Sequence, residues 1–242
     1  MAKPYFSLIL ACYNEGPTLE KSVYNIVSEL EKLKINWEIV FVEDKSTDDT
    51  REKTIKLCQS IKNSRLLLHK KNLGRGKAVS DGLVLARGTI CGYMDVDCEI
   101  SPVYIATFIK KIQQGSDVVI ARRHYQSSYK NLTREVSSKG YALLLRVALS
   151  LPLEDTEAGF KFFNRNKILP VLATTRDFGW FWDTEICARS YLAGLRISQV
   201  DVKFKKREDK KSTVKVFSDS RDYAKKLWVF RKEFSQLTQK ND

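Results

Sequence analysis

The sequence predicts an α/β domain, a mostly parallel sheet with helices on both faces. Three observations lead there: strand-length apolar runs alternate with longer segments, those segments carry helical spacing, and several open on a helix-start signal. Phe6 to Ala11 reads as the first strand. A helix follows near 17 to 33, with Ile26, Leu30 and Leu33 on one face and Pro17 marking its first turn. Trp37 to Val42 is the second strand, and Ser46-Thr47-Asp48 introduces a helix near 48 to 61. Arg65 to His69 and Ile90 to Met94 are the next strands, separated by a helix near 76 to 87. Ser101-Pro102 opens a helix near 102 to 114, ahead of a strand at Asp117 to Ala121.

The second half is less regular. Thr133 to Leu151 reads as a helix bent near Gly140, Phe160 to Phe163 and Ile197 to Phe204 as strands, and Ser220 to Leu237 as a terminal helix. With no internal repeat or linker, this is one domain over residues 1–216 and a C-terminal helical extension over 217–242.

Composition supports a packed core, because 43% of the 242 residues are hydrophobic and only eleven are glycine and five proline. Charge is the unusual feature: 42 Lys and Arg against 29 Asp and Glu leave +13, which favours a polyanionic partner such as nucleic acid, an anionic membrane or a phosphorylated substrate. The run from Lys203 to Lys215 holds seven of those cations against two acids. The five cysteines are scattered without a Cys-x-x-Cys, so a reducing compartment is expected rather than a disulfide framework or zinc site. The residues after Met1 run straight into the first strand, leaving no room for the apolar core of a signal peptide. No stretch reaches the ~18 apolar residues of a spanning helix, so any membrane contact is expected from the side, with Leu144, Val147 and Leu151 either entering the lipid boundary or packing into the core.

In such sheets ligands bind at the carboxyl ends of the strands. Tyr13-Asn14-Glu15 follows the first strand, Glu43 to Thr50 the second, and Asp95-Val96-Asp97-Cys98-Glu99 the fourth. Carboxylates from three strand ends on one rim repel one another unless a cation or a donor-rich ligand compensates. Asp95, Asp97 and Glu99 offer hard oxygen ligands suited to Mg²⁺ or Mn²⁺, and the alternative, a capped turn, leaves the other two acidic ends unexplained. The Gly74-Arg75-Gly76-Lys77 stretch opens a helix but fits neither a dinucleotide fingerprint nor a P-loop. Two histidines and no Gly-x-Ser-x-Gly argue against a hydrolase triad.

Together these segments resemble, in order and spacing, the successive signatures of family 2 glycosyltransferases with the GT-A fold. Ala121-Arg122-Arg123, Arg134 through Ser138 to Gly140, Asp155 to Lys161, Trp182 to Glu185 and Arg207 through Ser212 are similar to the polyprenyl-phosphate branch, which includes dolichyl-phosphate mannose and glucose synthases. The resemblance spans about residues 6 to 216.

The resemblance implies an inverting transfer of one sugar from a nucleotide-sugar, of GDP-mannose or UDP-glucose type, to a polyprenyl phosphate. Tyr13, Glu15 and Asp44 would hold base and ribose, with Lys77 in the donor site, and Asp95, Asp97 and Glu99 would surround the Mg²⁺ or Mn²⁺ at the diphosphate. Arg123, Arg134, Ser138 and Arg207 would gather the acceptor phosphate. Asp155 and Asp183 to Glu185 are expected to be structural or orienting groups, with Asp155 the one to touch the donor sugar. The implied setting is the cytoplasmic face of a membrane, with a membrane helper subunit as a further partner and no nucleic acid. Three departures stand out: Glu43 and Lys45 replace an Asp and a Gly, Thr213 follows Ser212 in place of Lys, and the Gln-x-x-Arg-Trp of processive synthases is missing. The rivals are transfer to a glycan or protein hydroxyl, which needs a carboxylate base such as Asp155, a basic nucleic-acid-binding module, and a degenerate transferase serving as a membrane adaptor.

Overall fold

The computed structural model describes residues 3–125, 149, 151–205 and 225–234. Strands β1 (Phe6–Cys12), β2 (Trp37–Glu43), β3 (Ser64–Leu68) and β4 (Ile90–Met94) pair in parallel, linked by helices α1 (Leu19–Lys32), α2 (Thr50–Ser60) and α3 (Arg75–Leu85). A 3₁₀ turn at Pro102–Tyr104 leads into α4 (Ile105–Gln113) and then β5 (Val118–Tyr125). After β6 (Phe160–Asn164) come α5 (Arg165–Leu172), α6 (Trp182–Leu192) and β7 (Ile197–Phe204). A last helix, α7, occupies 225–234, inside the expected terminal helix.

The seven strands run in the order β3-β2-β1-β4-β6-β5-β7, and β6 lies antiparallel to both neighbours. Side-chain alternation along β1 explains the two layers. Phe6, Leu8 and Leu10 bury against Leu19, Val23 and Ile26 of α1, Leu57 of α2, and Ile105 and Phe108 of α4. Ile9 belongs to the opposite cluster, with Val79 and Leu83 of α3, Ile168 of α5, and Trp182 and Ile186 of α6. Helices therefore cover both faces.

A third cluster joins Leu149 and Leu151 to Phe181 and Ala188 and to Leu227, Phe230 and Phe234 of α7. Leu151 is thus a packing residue, which settles for that side chain the choice between core and lipid; Leu144 and Val147 lie outside the described residues. The expected helix from Thr133 lies almost wholly outside them too. Among the described residues no helix is long and apolar enough to cross a membrane.

Candidate active site

The loops after β1 and β2 hold one another. The Asn14 backbone N–H donates to Ser46 Oγ (3.1 Å), Thr47 N–H to Asn14 Oδ1 (2.8 Å), Glu15 N–H to Thr50 Oγ1 (2.7 Å) and Gly16 N–H to Asp48 Oδ2 (3.1 Å). Asp48 also accepts the Thr50 N–H at 3.0 Å; the N-cap of α2 is Asp49, whose side chain makes no capping bond, so the Ser46-Thr47-Asp48 signal stands just ahead of the helix and ties the two loops together. The departures at 43 and 45 have local outcomes. Glu43 turns inward, accepting from Ser46 N–H (2.6 Å) and Arg51 Nη1 (3.0 Å), while Lys45 adopts the left-handed backbone (φ 61°) that a glycine takes without strain.

Asp44, buried at the end of β2, works differently. Its Oδ1 accepts from Leu73 N–H (2.8 Å) and His69 Nδ1 (2.7 Å), and its Oδ2 from Gly74 N–H (2.9 Å). One carboxylate thereby folds the 72–74 loop over the strand ends. Gly74 carries φ 92°, and a Cβ there would sit 2.5 Å from the Phe178 carbonyl oxygen, so only glycine lets this loop close on the segment before α6.

These loops enclose a cavity of about 300 Å³, lined among others by Tyr13, Glu15, Asp44, Arg75, Asp95, Asp97 and Trp180. Five residues expected in the donor site therefore meet in one place. Lys77 does not line it; its ammonium pairs with Asp81 one helical turn along α3 and lies over the Phe178 ring. Glu99 is also off the lining, with its N–H on Asp97 Oδ1 (3.2 Å) and its carbonyl accepting from Lys205 N–H (2.9 Å).

Beneath the cavity lies a charged network. Arg75 donates to Asp95 Oδ1 through Nε (2.9 Å) and Nη2 (2.7 Å), and its Nη1 bonds Asp183 on α6. Asp183 further accepts from the Tyr93 hydroxyl and from Lys161 Nζ (2.5 Å), and Lys161 also donates to Tyr93 Oη (2.9 Å) and the Ala158 carbonyl (2.6 Å). Lys161 is fully buried. Burial would raise Asp183, but Arg75 and Lys161 outweigh it and hold the carboxyl below its ordinary value. For Asp95 burial wins, and its carboxyl is raised despite Arg75. Gly159 completes the fit: its carbonyl accepts the Asp95 N–H (2.8 Å), and a Cβ there would come within 1.8 Å of Asp95 Oδ2.

At the carboxyl end of β5, Arg123 clamps Asp155 through its backbone N–H (3.0 Å), Nε (2.7 Å) and Nη2 (2.8 Å). Asp155 is not among the residues that line the cavity, and its oxygens are bound by the Arg123 guanidinium. Neighbouring Arg122 pairs with Glu154 and Asp201. Glu157, close to this pair, has its carboxyl pushed up to about 7, chiefly by burial, against the opposing pull of Arg123. Arg134, Ser138 and Arg207 lie outside the described residues.

Sequence reasoning missed Arg75, Tyr93 and Lys161 as parts of this site, and Glu157 as a perturbed acid. For Arg75 a signal existed in its flanking glycines: a Cβ on Gly76 would meet Trp182 Cβ at 2.5 Å, so the backbone is pressed close enough to set the guanidinium between two carboxylates. Of the aromatic run, Phe181 and Trp182 are buried, whereas Trp180 stays half exposed at the cavity.

Among the described residues no group of three or more His, Cys, Asp or Glu is placed to hold a metal ion. Two carboxylates at one cavity are, however, a donor set Mg²⁺ can take, since it keeps waters and shares substrate oxygens. Asp95 and Asp97 fit that set, and Glu99 stands apart from it.

The glycosyl transferase family 2 model matches residues 7–172. Glycosyltransferase AglD of Haloferax volcanii is 29% identical over 210 residues, 85% of this chain but only 34% of that protein. The dolichyl-phosphate beta-glucosyltransferase of Saccharomyces cerevisiae is 26% identical over 94% of this chain and 74% of its own length, and the ALG5A enzyme of that name from Trichomonas vaginalis 28% over 84% and 66%. Among solved structures, glucosyl-3-phosphoglycerate synthase from Mycobacterium tuberculosis in complex with Mn²⁺, uridine diphosphate and glucosyl-3-phosphoglycerate matches with a TM-score of 0.70 at 19% identity, covering 94% of this chain and 80% of that one. That likeness confirms the GT-A fold.

Proposed function

This chain belongs to glycosyl transferase family 2, and from that membership we propose that it moves one sugar from a nucleotide-sugar to a polyprenyl phosphate of dolichyl type, inverting the anomeric centre. The observation that carries the reading is the single cavity where three acidic strand ends converge above Arg75. Tyr13 offers an exposed ring to a base, Glu15 and Asp44 offer oxygens to ribose hydroxyls, and Asp95 with Asp97 would hold Mg²⁺ or Mn²⁺. Such an ion, when bound, supplies electrostatic stabilisation to a departing nucleoside diphosphate.

Two features favour a phosphate acceptor over a hydroxyl. An ionised phosphate needs little deprotonation before it attacks, and the carboxylate best placed in sequence to act as base, Asp155, is bound by Arg123. The similarity to dolichyl-phosphate beta-glucosyltransferases along 84% or more of the chain points the same way. Arg123, Arg134, Ser138 and Arg207 are the residues assigned to the acceptor phosphate, with Arg123 oriented by Asp155. A membrane surface as partner is supported by α7, where exposed Trp228 and Val229 lie among the exposed Lys225 and Lys232. The five cysteines are thiols, which suits a cytoplasmic face. A nucleic-acid-binding role is disfavoured because it leaves the acidic strand ends that line the cavity without a purpose.

The test is a panel of UDP- and GDP-sugars with Mg²⁺ or Mn²⁺ and a short polyprenyl phosphate in detergent. The expected product is a polyprenyl phosphate sugar from one donor. Transfer to glycan or peptide hydroxyls, with none to the lipid phosphate, would overturn the reading.

A further inference from the structure

A buried histidine behind the donor cavity has no part in the reaction as described. His69 follows β3, is 6% exposed, and stands between two carboxylates from different elements. Its Nδ1 lies 2.7 Å from Asp44 Oδ1 at the end of β2, and its Nε2 lies 3.2 Å from Asp81 Oδ2 on α3. The second approach is too oblique for a hydrogen bond, so among the described residues Nε2 makes none. The backbone holds the ring in place, because the His69 N–H donates to the Glu43 carbonyl (2.9 Å). The short bond to an acceptor carboxylate places the proton on Nδ1.

Asp44 is the only side chain seen holding the 72–74 loop by its backbone N–H groups among the described residues. Its two oxygens receive three donors, and only the imidazole comes from a side chain. Without His69, Asp44 has a torsional choice between the loop amides and the cavity, and the loop loses its fixed distance from Asn72 and Gly74 to the opposite wall. We propose that His69 is a positioning residue for the donor site: by donating from Nδ1 to Asp44 it sets the 72–74 loop in the shape that receives a nucleoside diphosphate. This rests on the nucleotide-sugar reading of the cavity. The chemistry itself occurs at Asp95 and Asp97, away from the imidazole, so His69 governs donor affinity more than turnover.

The position of the donating nitrogen makes the test selective. The amide nitrogen of asparagine superposes on Nδ1 of histidine, whereas that of glutamine reaches the place of Nε2. His69→Asn therefore retains the donor to Asp44, and His69→Gln and His69→Ala remove it. UDP and GDP, each with Mg²⁺, are titrated into the full chain and its variants by calorimetry, with thermal unfolding followed alongside and initial rates measured at varied nucleotide-sugar. The expected result is about a ten- to hundredfold loss of diphosphate affinity, and an equal rise in donor KM, for the Gln and Ala variants. His69→Asn is expected to stay within about threefold of the parent, and kcat to change little in all three. Equal affinities for parent, Gln and Ala overturn the proposal, as does an Asn variant as weak as Ala, which would mean that packing and not the Nδ1 donor matters. If the parent protein binds neither diphosphate, the nucleotide-sugar reading itself fails, and the role of His69 falls with it.

Discussion

Asp44, which lines the cavity, and Asp183, in the network beneath it, are both buried aspartates, and they are satisfied by different kinds of partner. Asp44 is held by two backbone N–H groups and an imidazole, all from loops at the strand ends. Asp183 is held by the buried Lys161, the partly buried Arg75 and a phenol, from three different elements. A carboxylate satisfied by backbone amides shapes a loop, so its loss is felt in binding. One satisfied by buried cations cancels charges that water no longer screens, and its loss strands the partners in low dielectric. On the proposed reading the first cluster serves donor recognition, while the second stabilises the network in which Asp95 is held.

The largest expected effect follows from the floor. Lys161→Met keeps the length and apolar stem but leaves Asp183 with Arg75 as its remaining cation beside the Tyr93 hydroxyl. Breaking a buried pair in this way costs about 3–5 kcal/mol, so the urea midpoint of the variant is expected to fall sharply and its melting temperature by roughly 2–4 °C for each kcal/mol lost. A change below about 1 kcal/mol would erase the distinction between the two clusters.

Next is a residue at the cavity surface. Asp97→Asn preserves size and removes one anionic ligand, so turnover with Mg²⁺ or Mn²⁺ is expected to drop by about a hundredfold or more, while the unfolding curve stays near that of the parent. Mn²⁺ binding in the presence of UDP or GDP, followed by electron paramagnetic resonance, is expected to weaken in parallel. Undiminished turnover, or full parental turnover in excess chelator, would remove the carboxylates from the metal role.

The smallest effect concerns Glu157, whose folded-state carboxyl is raised from 4.5 to about 7 mainly by burial. The folded protein then binds more protons than the unfolded chain between those values, so stability declines as pH rises from about 4.5 to 7 and levels off above it. Glu157→Gln removes that penalty. Its melting temperature is expected to match the parent near pH 4 and to exceed it above pH 7, by an amount corresponding to about 1–3 kcal/mol. A difference that does not vary with pH would place Glu157 in water rather than against the Arg123–Asp155 pair.

The first four strands and helices were legible because their signal is local: apolar spacing in Ile26 and Leu30, the Asp48 side chain accepting Thr50 N–H, and the Ser101 side chain accepting Val103 N–H (3.4 Å) all act within a few residues. Chemistry at the strand ends was legible for the same reason, since any parallel sheet presents those loops on one edge. From sequence alone, therefore, Tyr13, Glu15, Asp44, Asp95 and Asp97 were expected together, and the cavity brings them together. In the second half the strands at Phe160 to Phe163 and Ile197 to Phe204 were legible in the same way, but not their place in the sheet. Insertion of β6 antiparallel between β4 and β5 places Lys161 beside Tyr93, and Arg75 meets Asp183 across 108 positions. Lys77 illustrates the reverse case, since a cation in a loop expected at a phosphate is drawn off by Asp81, four residues along its own helix. Local periodicity and turn chemistry determined the elements and the acidic rim. Which buried charges neutralise one another depends on distances between elements far apart in sequence, and only the packed tertiary structure sets those distances.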